Sequence, residues 1–311
     1  MDGFRVLLPT STSSTLSAPI DLSLVRRLFA DASAIAGADF LRREIAARME
    51  ERLALVKIDP KLVLDAGCGE GADLLALHKR FPNANLVGLD ASPAMLQAAL
   101  QRRTEAQSAL NRMLAKWLPA AKTDDVLDLI CADFAATPLS NNSADLIWSN
   151  LALHWHPQPD RVFAEWRRLL RVDGLLMFSC FGPDTLKEIR TAFAALDAAP
   201  HALPFVDMHD FGDMLVEVGF STPVMDMETI TVTYTSVDKL MADVRALGGN
   251  PLSNRRRGLI SKASWRRVMQ VLEQLRRPDG TIGLSFEVIY GHAFRPISKT
   301  TASGEAIIRF K

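Results

Sequence analysis

The sequence predicts a doubly wound α/β domain, and three observations carry that prediction. Short apolar runs alternate with helix-patterned stretches through the middle of the chain. The first run empties into a glycine turn, Gly67-Cys68-Gly69-Glu70-Gly71, that leads into a helix. The 311 residues are 48% apolar and 23% charged, a balance that supports a sizeable core and argues against disorder.

Taken in order, residues 1–22 read as a loose tail rich in Ser and Thr, and residues 23–296 as the domain. Residues 23–57 form a helical cap: Leu24, Leu28, Ile35, Leu41, Ile45 and Met49 recur at helical spacing, with Gly37 as a candidate break. Residues 58–182 form the core, where the apolar runs 62–64, 86–89, 127–131, 144–148 and 175–180 read as buried parallel strands. Ser92-Pro93 marks a helix start, an N-cap followed by proline at the first helical position. A second helix opens at Asp160, puts Val162, Phe163, Trp166, Leu169 and Leu170 on one face, and ends at Asp173-Gly174. The connection 91–126 is longer than one crossover helix needs and predicts an extra turn or insertion.

Residues 183–296 change rhythm. Helices are expected over 183–196 and 207–218, a long strand over 224–234, and a last strand over 285–294. If extended, that last strand carries Phe286, Val288, Tyr290 and His292 on one face. Between the two strands, helical stretches flank Gly248-Gly249-Asn250-Pro251, and residues 297–311 read as a second tail.

Lys plus Arg equals Asp plus Glu, 36 each, so the whole molecule is no polyanion or polycation binder. Three cysteines, Cys68, Cys131 and Cys180, lack zinc-ligand spacing and point to a reducing compartment rather than a disulfide scaffold. No apolar run approaches the ~18 residues of a membrane span, and the N-terminus lacks the layout of a signal peptide. The expectation is a soluble, cytoplasmic protein without membrane contact.

The glycine turn is the strongest chemical signal. An apolar strand ending in Asp65, followed by glycines, lets a ligand approach the backbone at the carboxyl end of the sheet. Gly67, Gly69 and Ala72 also satisfy a dinucleotide pattern, and Asp90, at the end of the next strand, suits any adenosine ribose. Nicotinamide and S-adenosylmethionine cofactors are both compatible with these features. Asp65 favours the second, because a site facing pyrophosphate would not welcome a carboxylate whereas a cationic amino-acid ligand would. Cys131-Ala-Asp133-Phe134 adds an acceptor for an exocyclic amine beside an aromatic surface, and Asn150-Leu151 ends the fourth strand with a polar group. Cys68 reads as a small residue near the ligand rather than a nucleophile, since no base lies near it in sequence.

Together these strand ends resemble the Rossmann-like class of S-adenosylmethionine-dependent methyltransferases. The resemblance implies a seven-stranded, mostly parallel sheet with an antiparallel final strand, an N-terminal helical cap and a helical insertion near the C-terminus. It implies Asp65, Gly67, Cys68 and Gly69 at the methionine end of S-adenosylmethionine, and Asp90 and Ala91 at the ribose. Asp133 and Phe134 would meet the adenine, and Asn150 and Leu151 the sulfonium region. A narrower likeness rests on Asn150-Leu-Ala-Leu-His154-Trp155, Glu165-Trp-Arg-Arg-Leu-Leu-Arg171, Phe181-Gly-Pro-Asp-Thr-Leu186, Phe205-Val-Asp-Met-His-Asp-Phe-Gly-Asp-Met-Leu215 and Phe286-Glu-Val-Ile-Tyr-Gly-His-Ala-Phe294. These segments resemble the malonyl-acyl-carrier-protein O-methyltransferases of early biotin synthesis. They are shared in part with mitochondrial assembly factors of complex I, one of which is assigned arginine hydroxylation, so another acceptor, hydroxylation or a cofactor-binding assembly role stays open. Many biotin-pathway members carry a Tyr-Asp pair near the substrate entrance; the matching stretch here, Ala34-Ile-Ala-Gly-Ala-Asp39-Phe40, has no tyrosine, and Tyr290 is the candidate substitute.

A malonyl carboxylate is ionised at neutral pH, its reference pKa being about 4, so methyl transfer to it needs no general base. Candidates for holding that acceptor are His154, Trp155, His156, Tyr290 and an arginine that the sequence does not single out. His154 and His156 lack a third ligand at recognisable spacing, so no metal site is expected. Residues 245–277 hold nine Lys or Arg against one acid, Glu273, a local charge of +8 that leaves −8 for the remainder. Arg255, Arg256 and Arg257 at its centre are candidates for docking an acidic acyl-carrier protein, the alternative being an ordinary solvated helix pair. With Trp265 its sole aromatic residue and no recognition motif, the segment is not expected to bind nucleic acid.

Overall fold

The structure, a computed structural model, describes residues 19–114 and 127–297, the side chains of 106–114 excepted. The cap is broken into α1 (Leu22–Leu28), α2 (Ala32–Ile35), a 3-10 turn (Ala36–Ala38) and α3 (Asp39–Leu53). The breaks follow from local chemistry. Asp21 and Asp31 each accept from an amide two residues on, Ser23 and Ser33, both at 2.9 Å, and so restart the helix. Gly37 sits in the 3-10 turn, where an added Cβ would stand 3.2 Å from that of Ala246.

Five strands pair in parallel: β1 (Leu62–Ala66), β2 (Asn85–Asp90), β3 (Leu127–Cys131), β4 (Ala144–Asn150) and β5 (Leu170–Phe181). β6 (Ser221–Tyr234) and β7 (Ile282–Phe294) are antiparallel to each other, and β7 is antiparallel to β5 as well. The result is a seven-stranded sheet in the order β3-β2-β1-β4-β5-β7-β6, in which β7 runs against the rest. The chain steps outward from β1 to β3, then returns to place β4 on the other side of β1. That reversal opens a crevice at the carboxyl ends of β1 and β4, the position where open α/β sheets take ligands.

Alternation along the strands divides the core between the two faces. Leu41, Ile45 and Met49 of α3 pack with Trp148 and Met177 on one side, together with Leu74 and Leu77 of α4 (Ala72–Arg80) and Leu96 of α5 (Pro93–Leu114). On the other, Phe163 and Trp166 of α6 (Pro159–Leu169) pack with Phe178. Between β5 and β6 lie α7 (Lys187–Ala194) and α8 (Met208–Val218), the latter adding Phe211 to the second face. The helical insertion between β6 and β7 comprises α9 (Val237–Ala246) and α10 (Lys262–Gln274). Gly88 of β2 lies where α4 crosses the sheet.

Several boundaries differ from expectation. α6 begins at Pro159 and stops at Leu169, because Leu170 already pairs with Ala144; Asp173-Gly174 therefore lies inside β5, held by hydrogen bonds to Arg295 of 2.8 and 2.9 Å. α7 starts only at Lys187, since the amides of Gly182 and Asp184 donate to Glu287 and Pro183 has no N–H to give. Residues 19–21, assigned to the tail, instead pair with the insertion loop: Asp21 N donates to Pro251 O (3.0 Å) and Ser253 N to Pro19 O (2.9 Å). The rest of both tails lies outside the described residues. α5 accounts for the long connection as far as Leu114, and 115–126 lies outside as well. Among the described residues no helix is long and apolar enough to cross a membrane.

Gly88→Ala would put a Cβ 2.7 Å from both Leu74 and Leu129. Overpacking of this kind should cost about 1–3 kcal/mol, read as a lower urea midpoint; an unchanged midpoint would contradict the tight α4–β2 contact.

Candidate functional site

The crevice at the switch point is a cavity walled by the ends of four of the five parallel strands, β1 to β4, and by the cap. Asp65 comes from β1, Gly67, Cys68 and Gly69 from the turn after it, Asp90 and Ala91 from the end of β2, Phe134 from beyond β3, and Asn150 and Leu151 from the end of β4. The turn is shaped by backbone bonds: the amides of Gly67 and Cys68 both donate to Leu89 O, at 2.7 and 3.0 Å. Gly67 has φ 85°, and a Cβ on it would lie 2.3 Å from that of Ala152, so only glycine leaves both the turn and the cavity intact.

Five carboxylates line the cavity, and three of them, Asp65, Asp73 and Asp90, act on one another. Asp90 is fixed by Gly69 N (2.9 Å) and Ser92 N (2.8 Å), one on each oxygen, and keeps lone pairs for further donors such as a ribose diol. Asp73 accepts from the indole N–H of Trp148 at 2.8 Å. Asp65 is 2% exposed, and its Oδ2 has no hydrogen-bond partner. Burial pushes the Asp65 carboxyl well above the usual carboxylate range, reinforced by the charges of Asp73 and Asp90, and burial also raises Asp73 and Asp90. A buried acid with an unpartnered oxygen, in a cavity that Asp39, Glu70, Asp73 and Asp90 also line, calls for a cation. An amino-acid ammonium beside an adenosine fits: the ammonium at Asp65, the diol at Asp90 and the purine against Phe134. The donor set present therefore suits S-adenosylmethionine.

Asp133 departs from expectation. Its carboxylate accepts from Ala135 N (2.9 Å) and lies 3.8 Å from His156 Nε2, so it closes a turn and does not line the cavity. His156 is likewise occupied, its Nδ1 accepting from Gln158 N at 3.0 Å. Tyr290 lines neither this cavity nor its neighbour; its ring lies under the Arg52 guanidinium, 3.8 Å from the centroid, and is covered by α3. Asp73, Phe29 and Arg42 line the cavity without having been singled out in the sequence. Asp73 reads there as an ordinary first-turn helix charge, and the other two sit in a cap whose docking only tertiary structure reveals.

A second cavity lies against the first, and Trp155 walls both. Its lining is aromatic and aliphatic, from Phe181, Phe193, Phe205, Met241 and Trp265, with Arg245 among them. Trp155 is wedged between Phe29, at a centroid separation of 5.1 Å, and Gly248, where a Cβ would stand 2.8 Å from the indole. His154 lies beside it in a cage of Trp155, Phe181 and Phe205 rings at 5.1–5.5 Å. Its Nδ1 has no partner, and burial pulls its pKa down to about 3, so the imidazole is neutral at physiological pH. Nearby, Arg256 pairs with Asp197 and Arg255 donates to Leu252 O, so of the three candidate docking arginines Arg255 and Arg257 have no ion-pair partner among the described residues.

Asp65→Asn should separate binding from stability. An acid whose folded pKa exceeds its unfolded value weakens the fold as pH rises through that range, so at pH 7 the neutral amide should raise the melting temperature of the ligand-free protein. The same change should weaken S-adenosylhomocysteine by at least about tenfold, as the loss of a charge-assisted bond implies. Scanning calorimetry and titration calorimetry check the two arms; unchanged affinity would contradict the ammonium site.

A model described as a methyltransferase domain matches residues 64–178, the span from β1 into β5. A malonyl-acyl-carrier-protein O-methyltransferase of Laribacter hongkongensis is 44% identical over 93% of this chain and 96% of its own. One from Gallionella capsiferriformans is 41% identical with the same coverage. Among solved structures, a putative methyltransferase of Bacillus halodurans superposes with a TM-score of 0.54 at 16% identity, covering 81% of this chain and 99% of its own, a likeness of fold. The chain belongs to the malonyl-acyl-carrier-protein O-methyltransferases, a family of S-adenosylmethionine-dependent methyltransferases.

Proposed function

We propose that this protein methylates the free carboxyl of a malonyl thioester carried on acyl-carrier protein, an early step of biotin synthesis. The observation that carries the reading is the pair of cavities divided by Trp155, one lined by acids that suit a cationic cofactor, the other apolar with a neutral, unpartnered imidazole. S-adenosylmethionine, when bound, supplies an electrophilic methyl open to in-line displacement. Asp65, Asp90 and Phe134 hold and orient the donor. In the second cavity Trp155 shapes the approach, and His154 donates an N–H to one oxygen of the acceptor, leaving the other free to attack. A neutral donor suits this task, because a full cation at the carboxylate would depress its nucleophilicity. Since the acceptor is already ionised, positioning does the work, and favourable intramolecular models assign it about 7–11 kcal/mol.

The basic segment supports a carrier-borne substrate. Arg245 and Trp265, both within it, line the second cavity. Arg257, Lys262, Arg266 and Arg267 are exposed and without an acidic partner among the described residues, and Leu259 beside them is 97% exposed. An acidic carrier seated there has its acyl arm beside the cavity. The names of the relatives point to the same acceptor.

Intact-mass analysis of malonyl-loaded carrier, after incubation with the protein and S-adenosylmethionine, should show one added methyl, with acetyl-loaded carrier unchanged. No mass increase on the malonyl species would overturn the assignment. Combining Arg257→Glu, Arg266→Glu and Arg267→Glu should raise KM for the loaded carrier about tenfold or more at low salt, without altering cofactor affinity. An unchanged KM would remove this surface from the docking account.

A further inference from the structure

The cofactor cavity holds a second misfit, opposite in sign to Asp65. Arg42 of α3 lines the wall, its side chain only 24% exposed. Its Nη2 donates to Ile35 O at 2.8 Å, and the nearest carboxylate, Asp39, stands 3.7 Å away, beyond hydrogen-bond reach. Asp39 is itself engaged by Arg43, and the other acid at this end, Glu70, pairs with Arg102 at 2.6 Å. A guanidinium offers five N–H donors in a planar fork that matches a carboxylate. Here most of them have no protein acceptor among the described residues, and burial lowers the pKa of the group accordingly. Arg43, the other cation on this wall, is 65% exposed and already paired.

An under-compensated cation and an under-compensated carboxylate in one cavity are complementary to a zwitterion. An amino acid carries its ammonium and carboxylate on a single carbon, so a ligand whose ammonium meets Asp65 presents its carboxylate within the same end of the cavity. We propose that Arg42 binds the α-carboxylate of the cofactor's amino-acid moiety. The inference rests on the cavity being the S-adenosylmethionine site, as read above. It makes the cap part of the binding site rather than a cover. The backbone carbonyl of Arg42 also accepts from Asn150 Nδ2 at 3.1 Å, joining the same turn of α3 to the end of β4.

Titration calorimetry with S-adenosylhomocysteine and its analogue lacking only the α-carboxylate tests this. Arg42→Gln should weaken S-adenosylhomocysteine by about 10- to 100-fold, the range for hydrogen bonds to charged groups. It should leave the carboxylate-free analogue unchanged, which also certifies that the variant is folded. Arg42→Lys should recover part of the loss. Equal weakening of both ligands, or of neither, would overturn the assignment. Wild-type protein that bound neither ligand would overturn the cofactor reading along with it. A failure to methylate malonyl carrier, with this binding pattern intact, would instead count against the acceptor alone.

Discussion

Asp65 stands near the end of β1 with one carboxylate oxygen unpartnered and two further acids close by, and the surrounding structure is arranged around that charge. The strand that places it is buried on both faces, so the carboxyl group has no route to bulk water except through the cavity. Gly67 keeps that route open by carrying no side chain where Ala152 approaches. The backbone donors of the turn are spent elsewhere: Gly67 and Cys68 on Leu89, Gly69 on Asp90. These three are not left to satisfy Asp65, whose unpartnered oxygen makes the site a standing demand for a positive ligand. Such a demand costs folding stability and is tolerated because a ligand answers it, the usual relation between strain and function.

The two cavities assign separate tasks to separate chemistry. Charged groups mark the first, where acids and the partly buried guanidinium of Arg42 line one cavity. Apolar surface dominates the second, and His154 within it is held neutral by burial among aromatic rings. Trp155 is the shared wall, supported from the cap by Phe29 and from the insertion by Gly248. Cap, core and insertion therefore converge on one indole ring. The link between residues 19–21 and 251–253 ties the cap's leading edge to the loop that packs against that ring.

Much of this was legible in the sequence because it is local. A strand that ends in an acid and three glycines states its own geometry, and Asp90 follows from the spacing of the next strand. The amphipathic stripe of α6, Val162, Phe163, Trp166 and Leu169, likewise emerged from spacing alone. What was not legible depends on partners distant in the chain. Asp133 sits at the expected strand end, yet its carboxylate turns back to its own backbone. Tyr290 alternates correctly along β7, but α3 brings Arg52 over its ring. Arg256 looked free until α7's trailing loop supplied Asp197. Arg42 carried no signal at all, being one arginine among several in a charged helix whose docking is decided by tertiary packing. The second cavity is assembled from five separate stretches of sequence, which no local pattern could announce.

The most direct test of this account is a crystal structure of the protein with S-adenosylhomocysteine. The account predicts the ligand's ammonium within hydrogen-bond distance of Asp65, its ribose on Asp90, its purine against Phe134, and its sulfur turned toward Trp155 and the second cavity. A ligand seated with its amino-acid end away from Asp65, or with its sulfur facing away from the second cavity, would contradict it.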